Sequence, residues 1–361
     1  MSNLDSDRTG FATLCSPKDA LVDIVFVHGL RGDRKETWTE GTTLWPESLL
    51  PEKIPQARIL TFGYDADIYH FWSMPASANT IKNHADSLTA GLIGLRHEEE
   101  QTAARPIIFV AHSLGGLVCA ATKQALSNAE DCLQQPHTKS ISDCTRRIAF
   151  LGTPHQGSNK AQWAESGKNF LSLFSRKTTG GVLKELEQGS DTLVKLGVAF
   201  PTWLSHRAGK PKTKVEIVCF FEELSSSVGG TSIGKIVPEE SARLLDYPTL
   251  SIHADHCGMC KFRDEKDGNY RTVAEVLARW AKELKEETKE EETETSGGIV
   301  SNSKFGDNNQ GQQFGVYESK GSTNFASGGT WNQGKVNERF AMETNLHASG
   351  QPQLEGFLDG V

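Results

Sequence analysis

Pro106-Ile-Ile-Phe-Val-Ala-His112 runs without interruption into Ser113-Leu-Gly-Gly116. The first part is a short apolar run rich in β-branched and aromatic residues. It is too short for a core helix and reads as a strand buried on both faces. Leu117 onward, to about Leu126, reads as a helix. A doubly buried strand that turns at once into a helix belongs to a parallel α/β sheet.

Working outward, Val22-Asp-Ile-Val-Phe-Val-His28, Ala57–Gly63, Arg147–Gly152 and Val215–Phe221 repeat the strand pattern. Spaced apolar positions near 77–95 read as a helix. Over 271–287, Val273, Val276, Leu277, Trp280 and Leu284 share one helical face, which makes a closing helix. Strands alternating with helical or long connections predict a mostly parallel sheet with helices on both faces. The stretch 156–210, with Trp163, Phe170, Leu171, Phe174 and Trp203, interrupts the alternation. It reads either as a lid over a site or as a helical insertion covering the sheet.

The chain has 361 residues, and α/β folds of about 250–300 residues form single units. Four segments follow: a mobile lead-in over 1–20, an α/β domain over 21–287, a charged linker over 288–298, and a tail over 299–361. Gly, Asn, Gln and Ser dominate the tail, with single aromatics. That composition cannot bury enough apolar area to offset its ordering entropy, so the tail is expected to be disordered. The same composition forms Asn/Gln ladders when strands stack.

The formal net charge of −8, from 46 acidic and 38 basic residues, argues against a nucleic-acid partner. The first ten residues lack the apolar core of a secretory leader, and no apolar run approaches the roughly 18–20 residues of a membrane span. Seven cysteines without a dense framework fit a reducing, cytoplasmic setting. Cys257-Gly-Met-Cys260 has CxxC spacing but lacks the second pair that zinc requires, and no metal or other cofactor is expected.

The chemistry centres on Ser113. A serine hydroxyl is a weak nucleophile. It needs a base to take its proton and donors to hold the developing oxyanion. A sharp strand-to-helix turn exposes Oγ and aims the next backbone N–H, that of Leu114, at the reacting oxygen, as in the α/β-hydrolase fold. Ala111 and Gly115 flank the serine with small residues. His28-Gly29-Leu30 follows the first strong strand, where that fold takes its second oxyanion donor. The Leu30 N–H is the candidate, Gly29 permits close approach, and His28 reads as a structural polar residue rather than a base.

The chain order in this fold is Ser, acid, His, so the base comes late. His256, in a loop before the closing helix, is preferred over His253 at the end of an apolar run and over His347 in the tail. The acid follows a strand between them. Glu222 is chosen, with Glu223, Glu239, Glu240 and Asp255 as rivals.

Taken together, Val27-His-Gly-Leu-Arg-Gly32 with Thr37-Trp38, Leu60-Thr-Phe-Gly-Tyr64, Ala111-His-Ser-Leu-Gly-Gly-Leu-Val118, Phe150-Leu-Gly-Thr-Pro-His-Gln-Gly-Ser158, Val237-Pro-Glu-Glu-Ser-Ala242 and Ala254-Asp-His-Cys-Gly-Met-Cys-Lys-Phe262 resemble the SesB-like serine esterase/lipase domains of filamentous fungi. The resemblance covers roughly residues 20–285. It implies an α/β-hydrolase fold, Ser113 and His256 as nucleophile and histidine, and Glu222 where that family carries a Phe-Glu element. It implies a lipid or other acyl-ester substrate, and with it transient membrane contact. Such domains occur with NOD-like (NLR) receptors, and Phe305-Gly-Asp-Asn-Asn-Gln-Gly-Gln-Gln-Phe-Gly315 resembles the sigma-type amyloid motif found beside them. That implies an effector of cell death or heterokaryon incompatibility, switched by an amyloid seed and clustered through its tail into a homo-oligomer. The alternative is a catalytically silent binding module of the same fold, which the intact Ser, His and His-Gly elements oppose.

Overall fold

The structure, a computed structural model, describes residues 8–66, 77–97, 104–124, 136–155, 168–170, 172–173, 195–296, 314–319, 322–327 and 330–334. The chain divides into two compact units, Met1–Thr288 and Lys289–Val361.

Six strands of the first unit carry most of the sheet: β1 (Gly10–Cys15), β2 (Val22–Val27), β3 (Ala57–Gly63), β4 (Ile107–His112), β5 (Thr145–Leu151) and β6 (Glu216–Glu222). A small hairpin follows, made of β7 (Ser226–Val228) and β8 (Thr231–Gly234), and then β9 (Thr249–Ile252) returns to the main sheet. The sheet order is β1-β3-β2-β4-β5-β6-β9. Every pairing is parallel except β1 with β3. This is the α/β-hydrolase fold, as the motifs imply.

The strands β2 to β5 are buried almost throughout because both faces are covered. On one face Val25, Val27, Phe109, Ala111, Ile148 and Phe150 pack under α1 (Ser77–His97) and α2 (Gly115–Gln124). Ile81, Ala85, Leu88 and Leu92 of α1 recur at helical spacing on its inner side. Residues 195–208, also helical, add Phe200 and Trp203 to this face. A further helix, α3 (Pro136–Cys144), precedes β5. On the other face Ile24, Phe26, Ile108, Val110 and Leu151 meet Trp38, Trp45 and the closing helix α4 (Gly268–Ser296). Val273, Leu277, Trp280 and Leu284 of α4 are fully buried there, and Val276 is partly buried. Each such aliphatic side chain contributes about 1.5–3 kcal/mol relative to exposure.

One segment expectation needs correction. Residues 10–15 of the lead-in are not mobile: they form β1, register Gly10↔Gly63, with the Phe11 ring 5.0 Å from that of Phe62. Without β1 the outer edge of β3 would present unpaired N–H and C=O groups. The charged run that continues the closing helix is helical as far as Ser296, as expected of a solvated helix end, because Glu and Lys are good helix formers. In the second unit β10 (Phe314–Ser319), β11 (Ser322–Ser327) and β12 (Thr330–Gly334) form an antiparallel three-stranded sheet. Its registers close on Ser319↔Ser322 and Ser327↔Thr330.

Asp23, near the start of β2, lies fully buried at the end of the sheet remote from Ser113. Its carboxylate accepts two bonds from Arg58, both 2.9 Å, one from Arg96 at 2.9 Å and one from Arg105 at 3.1 Å. A buried carboxylate needs such company to offset its desolvation.

Candidate active site

The chain leaves β2 toward β3 on one side and reaches β4 on the other. The carboxyl ends of β2 and β4 therefore flank a topological switch point, where open α/β sheets bind ligands. Ser113 follows β4 and Gly29-Leu30 follow β2, so both fall at this crevice.

Ser113 adopts φ 57°, a left-handed conformation uncommon for a residue with a β-carbon. Its N–H donates to Leu151 O at 2.8 Å, and its carbonyl accepts from Gly116 N–H at 3.1 Å, which opens α2. Strain of this kind costs on the order of 1–3 kcal/mol and persists only where the surroundings impose it. Here β4, β5 and α2 impose it together.

The loop after β2 closes down on the serine. A β-carbon on Gly29 would stand 2.5 Å from Ser113 Cβ, so only glycine fits. His28 holds this loop from inside the protein. Its Nε2 accepts Tyr64 N–H at 3.3 Å, so Nδ1 carries the proton and donates to Gly29 O at 2.9 Å. The Tyr64 ring stacks on the imidazole at 4.5 Å, and its hydroxyl donates to His28 O at 2.8 Å. Burial pushes the His28 pKa down to about 4, against the opposing effect of the Gly29 bond. Arg31 N–H goes to Ala66 O and Gly32 N–H to Gly29 O. The Leu30 and Leu114 N–H groups have no hydrogen-bond acceptor among the described residues, and both residues are buried.

The sequence candidates for acid and base meet. Glu222 Oε2 lies 2.5 Å from His256 Nδ1, both side chains buried. Glu222 Oε1 accepts the N–H groups of Ile236 and of Val237, the latter at 3.1 Å. This two-amide cradle lies just past the β7–β8 hairpin and fixes the carboxylate without reference to the histidine. His256 Nε2 is buried without a hydrogen-bond partner among the described residues, so it makes no bond to Ser113 Oγ here. Catalytic hydrogen bonds are often long in the absence of substrate. Gly152, at φ +58°, makes room for the His256 ring: a β-carbon there would lie 3.0 Å from Cε1 and 2.8 Å from Met259 Sδ.

The rivals go elsewhere. Glu223, the next residue, turns to the exposed side and pairs with His253 Nδ1 at 2.7 Å. Glu239 pairs with Arg243, and Asp255 Oδ1 accepts Gly258 N–H at 2.8 Å. Glu240 is exposed on a short helix. Cys260 is buried with its thiol directed to Thr37 O at 3.3 Å, and burial raises its pKa. Cys257 is exposed.

Of the 156–210 stretch, Trp163, Leu171 and Phe174 fall outside the described residues. Phe170 is buried with its ring edge-on to His256 at 5.4 Å, and Asn169 Nδ2 reaches Ile236 O at 3.5 Å. Trp203 belongs to the sheet core, stacked on Phe200 at 5.9 Å. Three groups around the site escaped the sequence reading: the Ile236–Val237 cradle, Gly152, and His112, whose ring bonds the His256 main chain. Backbone donors leave no residue signature. Gly152 and His112 do sit inside the quoted motifs.

The fold and site define an α/β-hydrolase architecture with a serine at its elbow and a buried histidine–carboxylate pair beside it. Against known proteins, the chain is similar to protein SERAC1 of Bos taurus, 26% identical over 281 residues and 73% of this chain, and of Danio rerio, 29% identical over 256 residues and 66% of this chain. It spans 39% of the Bos taurus protein's length and 36% of the Danio rerio protein's. Among solved structures it is similar to Bacillus licheniformis lipase BlEst2 in mature form (19% identity, TM-score 0.43, 74% of this chain and 97% of that one). It is also similar to an inhibited esterase B from Lactobacillus rhamnosis (13% identity, TM-score 0.45, 77% of this chain and 82% of that one). No family model matches the chain.

Proposed function

We propose that the chain is a serine-nucleophile carboxylic ester hydrolase acting on lipid or related acyl esters. The observation that carries this reading is the buried Glu222–His256 pair, its outward nitrogen Nε2 unpartnered, beside a serine at the strand-to-helix elbow. In the reaction, Ser113 Oγ attacks the ester carbonyl carbon as its proton passes to His256 Nε2. The tetrahedral oxyanion takes the N–H groups of Leu30 and Leu114, donors of a kind each worth about 10²–10³ in rate. Glu222 stabilises the imidazolium through Nδ1 and keeps the tautomer that presents Nε2 to the serine. The imidazolium returns its proton to the departing alkoxide, which leaves as alcohol and an acyl-serine. Water, deprotonated by the same imidazole, then releases the carboxylic acid and restores Ser113.

The test is hydrolysis of a short-chain nitrophenyl ester by the full chain and by Ser113→Ala, with fluorophosphonate labelling of both. Turnover and labelling lost together in the variant are expected. Undiminished turnover in Ser113→Ala would remove the nucleophile assignment. No labelling of folded parent protein would favour the silent binding module.

The SesB-like resemblance extends the proposal to an effector paired with an NLR receptor, switched and clustered when an amyloid seed converts the tail. Lipid hydrolysis then requires transient contact with a membrane from the cytoplasm. No helix among the described residues is long and apolar enough to cross one. A fragment of residues 295–361 that stays monomeric beside preformed homologous seed would end the templating proposal.

A further inference from the structure

We infer that His112 is a positioning residue: its ring N–H, donated to the main-chain carbonyl of His256, sets the spacing and facing of base and nucleophile. This rests on the serine-hydrolase reading above.

His112 immediately precedes Ser113 at the end of β4, and its Nε2 lies 2.9 Å from His256 O across 144 residues of chain. A carbonyl only accepts, so Nε2 carries the proton. The bond is buried, where it is electrostatically stronger than in water. It joins the residue before the nucleophile to the base itself. No loop of adjustable length intervenes.

The rest of the His256 loop is anchored from other directions. Glu223 and Leu224 N–H groups hold Ile252 O and Ala254 O, at 3.0 and 3.1 Å, and Met259 N–H holds Asp255 O at 3.0 Å. Those bonds fix the loop to β6 and to itself. Among the described residues, only the His112 bond refers it to the elbow, which β5 fixes in turn through Ser113 N–H and Leu151 O.

The ring also packs. Its centroid stands 5.0 Å from the His256 ring and 6.5 Å from the Trp38 indole. The titratable groups acting on it are His256, His28 and Lys261. Burial, and then His256, push its pKa down to about 3. It is therefore neutral near pH 7, and there His256 would gain its proton in the reaction without a charged His112 at its side. A lysine or arginine could supply a donor here, but would oppose the imidazolium.

The experiment compares the full chain with His112→Phe, which keeps a ring and loses the donor, and His112→Gln, which keeps a donor and loses the ring. Nitrophenyl ester kinetics and the downfield Nδ1 proton resonance of His256 are read on all three. His112→Phe is expected to lower kcat by about 10–100-fold, with KM within about twofold, as misplacement of a reacting group does. The resonance should broaden or shift in this variant. His112→Gln should recover most of kcat and the resonance. Parent-like kcat and resonance in a folded His112→Phe would overturn the inference. So would failure of His112→Gln to recover either at an unchanged melting temperature. Should the Phe variant not fold, His112→Leu takes its place with the same expectations. If the parent itself shows neither turnover nor serine labelling, the hydrolase reading fails, and the resonance alone decides whether the tether holds His256.

Discussion

Gly152 and His256 face each other so closely that a β-carbon on the glycine would stand 3.0 Å from the imidazole Cε1. The glycine also holds φ +58°, which an alanine adopts only under strain. Gly152→Ala is therefore expected to displace the imidazole and lower kcat by about 10–100-fold, with a stability loss on the order of 1–3 kcal/mol. Ester kinetics and urea denaturation check the two effects separately. Parent-like kcat would show that the ring relocates without consequence.

Glu222 has two jobs that separate by substitution. Glu222→Gln leaves an oxygen for the Ile236 and Val237 amides but disrupts the tautomer of His256, so kcat should fall by up to about 10⁴ with the fold retained. Glu222→Ala also leaves two buried N–H groups without their acceptor, which adds about 1–3 kcal/mol of instability for each. Melting and kinetics of the pair should diverge: equal activity loss, unequal stability.

At the opposite end of the strands, Asp23→Asn leaves Arg58, Arg96 and Arg105 without the carboxylate that they share. Breaking a buried ion pair on one side costs about 3–5 kcal/mol. Denaturant midpoints should drop accordingly, while serine labelling of the remaining folded protein stays at the parent rate. A drop confined to labelling would refute this division between stability and chemistry.

Three buried histidines make the fold sensitive to acid. His28 is pushed down to about 4, and His112 and His155 to about 3, all principally by burial. The unfolded chain binds their protons near pH 6.5, the folded chain only well below it. Their depressed values stabilise the fold fully above pH 6.5, and this stability is lost as pH falls from 6.5 toward 4 and 3. Near pH 5 unfolding should take up roughly three protons from these groups, a slope of about 4 kcal/mol per pH unit. Calorimetry in buffers of different ionisation enthalpy counts those protons. An uptake near zero at pH 5 would contradict their neutrality.

The interior of the sheet was legible because β2 to β5 are buried on both faces and write near-continuous apolar runs. The edges were not. In β1 the pattern Gly-Phe-Ala-Thr-Leu-Cys gives only intermediate burial, and in β9 Leu250 and Ser251 are exposed. A half-covered strand carries a diluted signal, and here Gly and Thr dilute it further. The elbow was legible because Ser113 sits between a strand and a helix of opposite periodicity. The choice of Glu222 over Glu223 rested on the family resemblance; the structure separates the two by strand parity, since neighbours at a strand end face opposite sides, one toward His256 and the other toward His253. The cradle could not be read, since backbone amides of Ile236 and Val237 have no letter of their own.

The β7–β8 hairpin lies between Glu222 and the two amides that hold it, yet its tip, Gly229-Gly230, is exposed and both residues have positive φ. The acid is thus gripped across the neck of a loop whose far end is exposed. Chain inserted at that tip would leave the grip unchanged, because the neck is set by β6 on one side and Ile236 on the other. The tip is accordingly a port for a genetically encoded reporter: a fluorophore carried there would sit a short stretch of chain from Glu222 while leaving the site's own geometry alone.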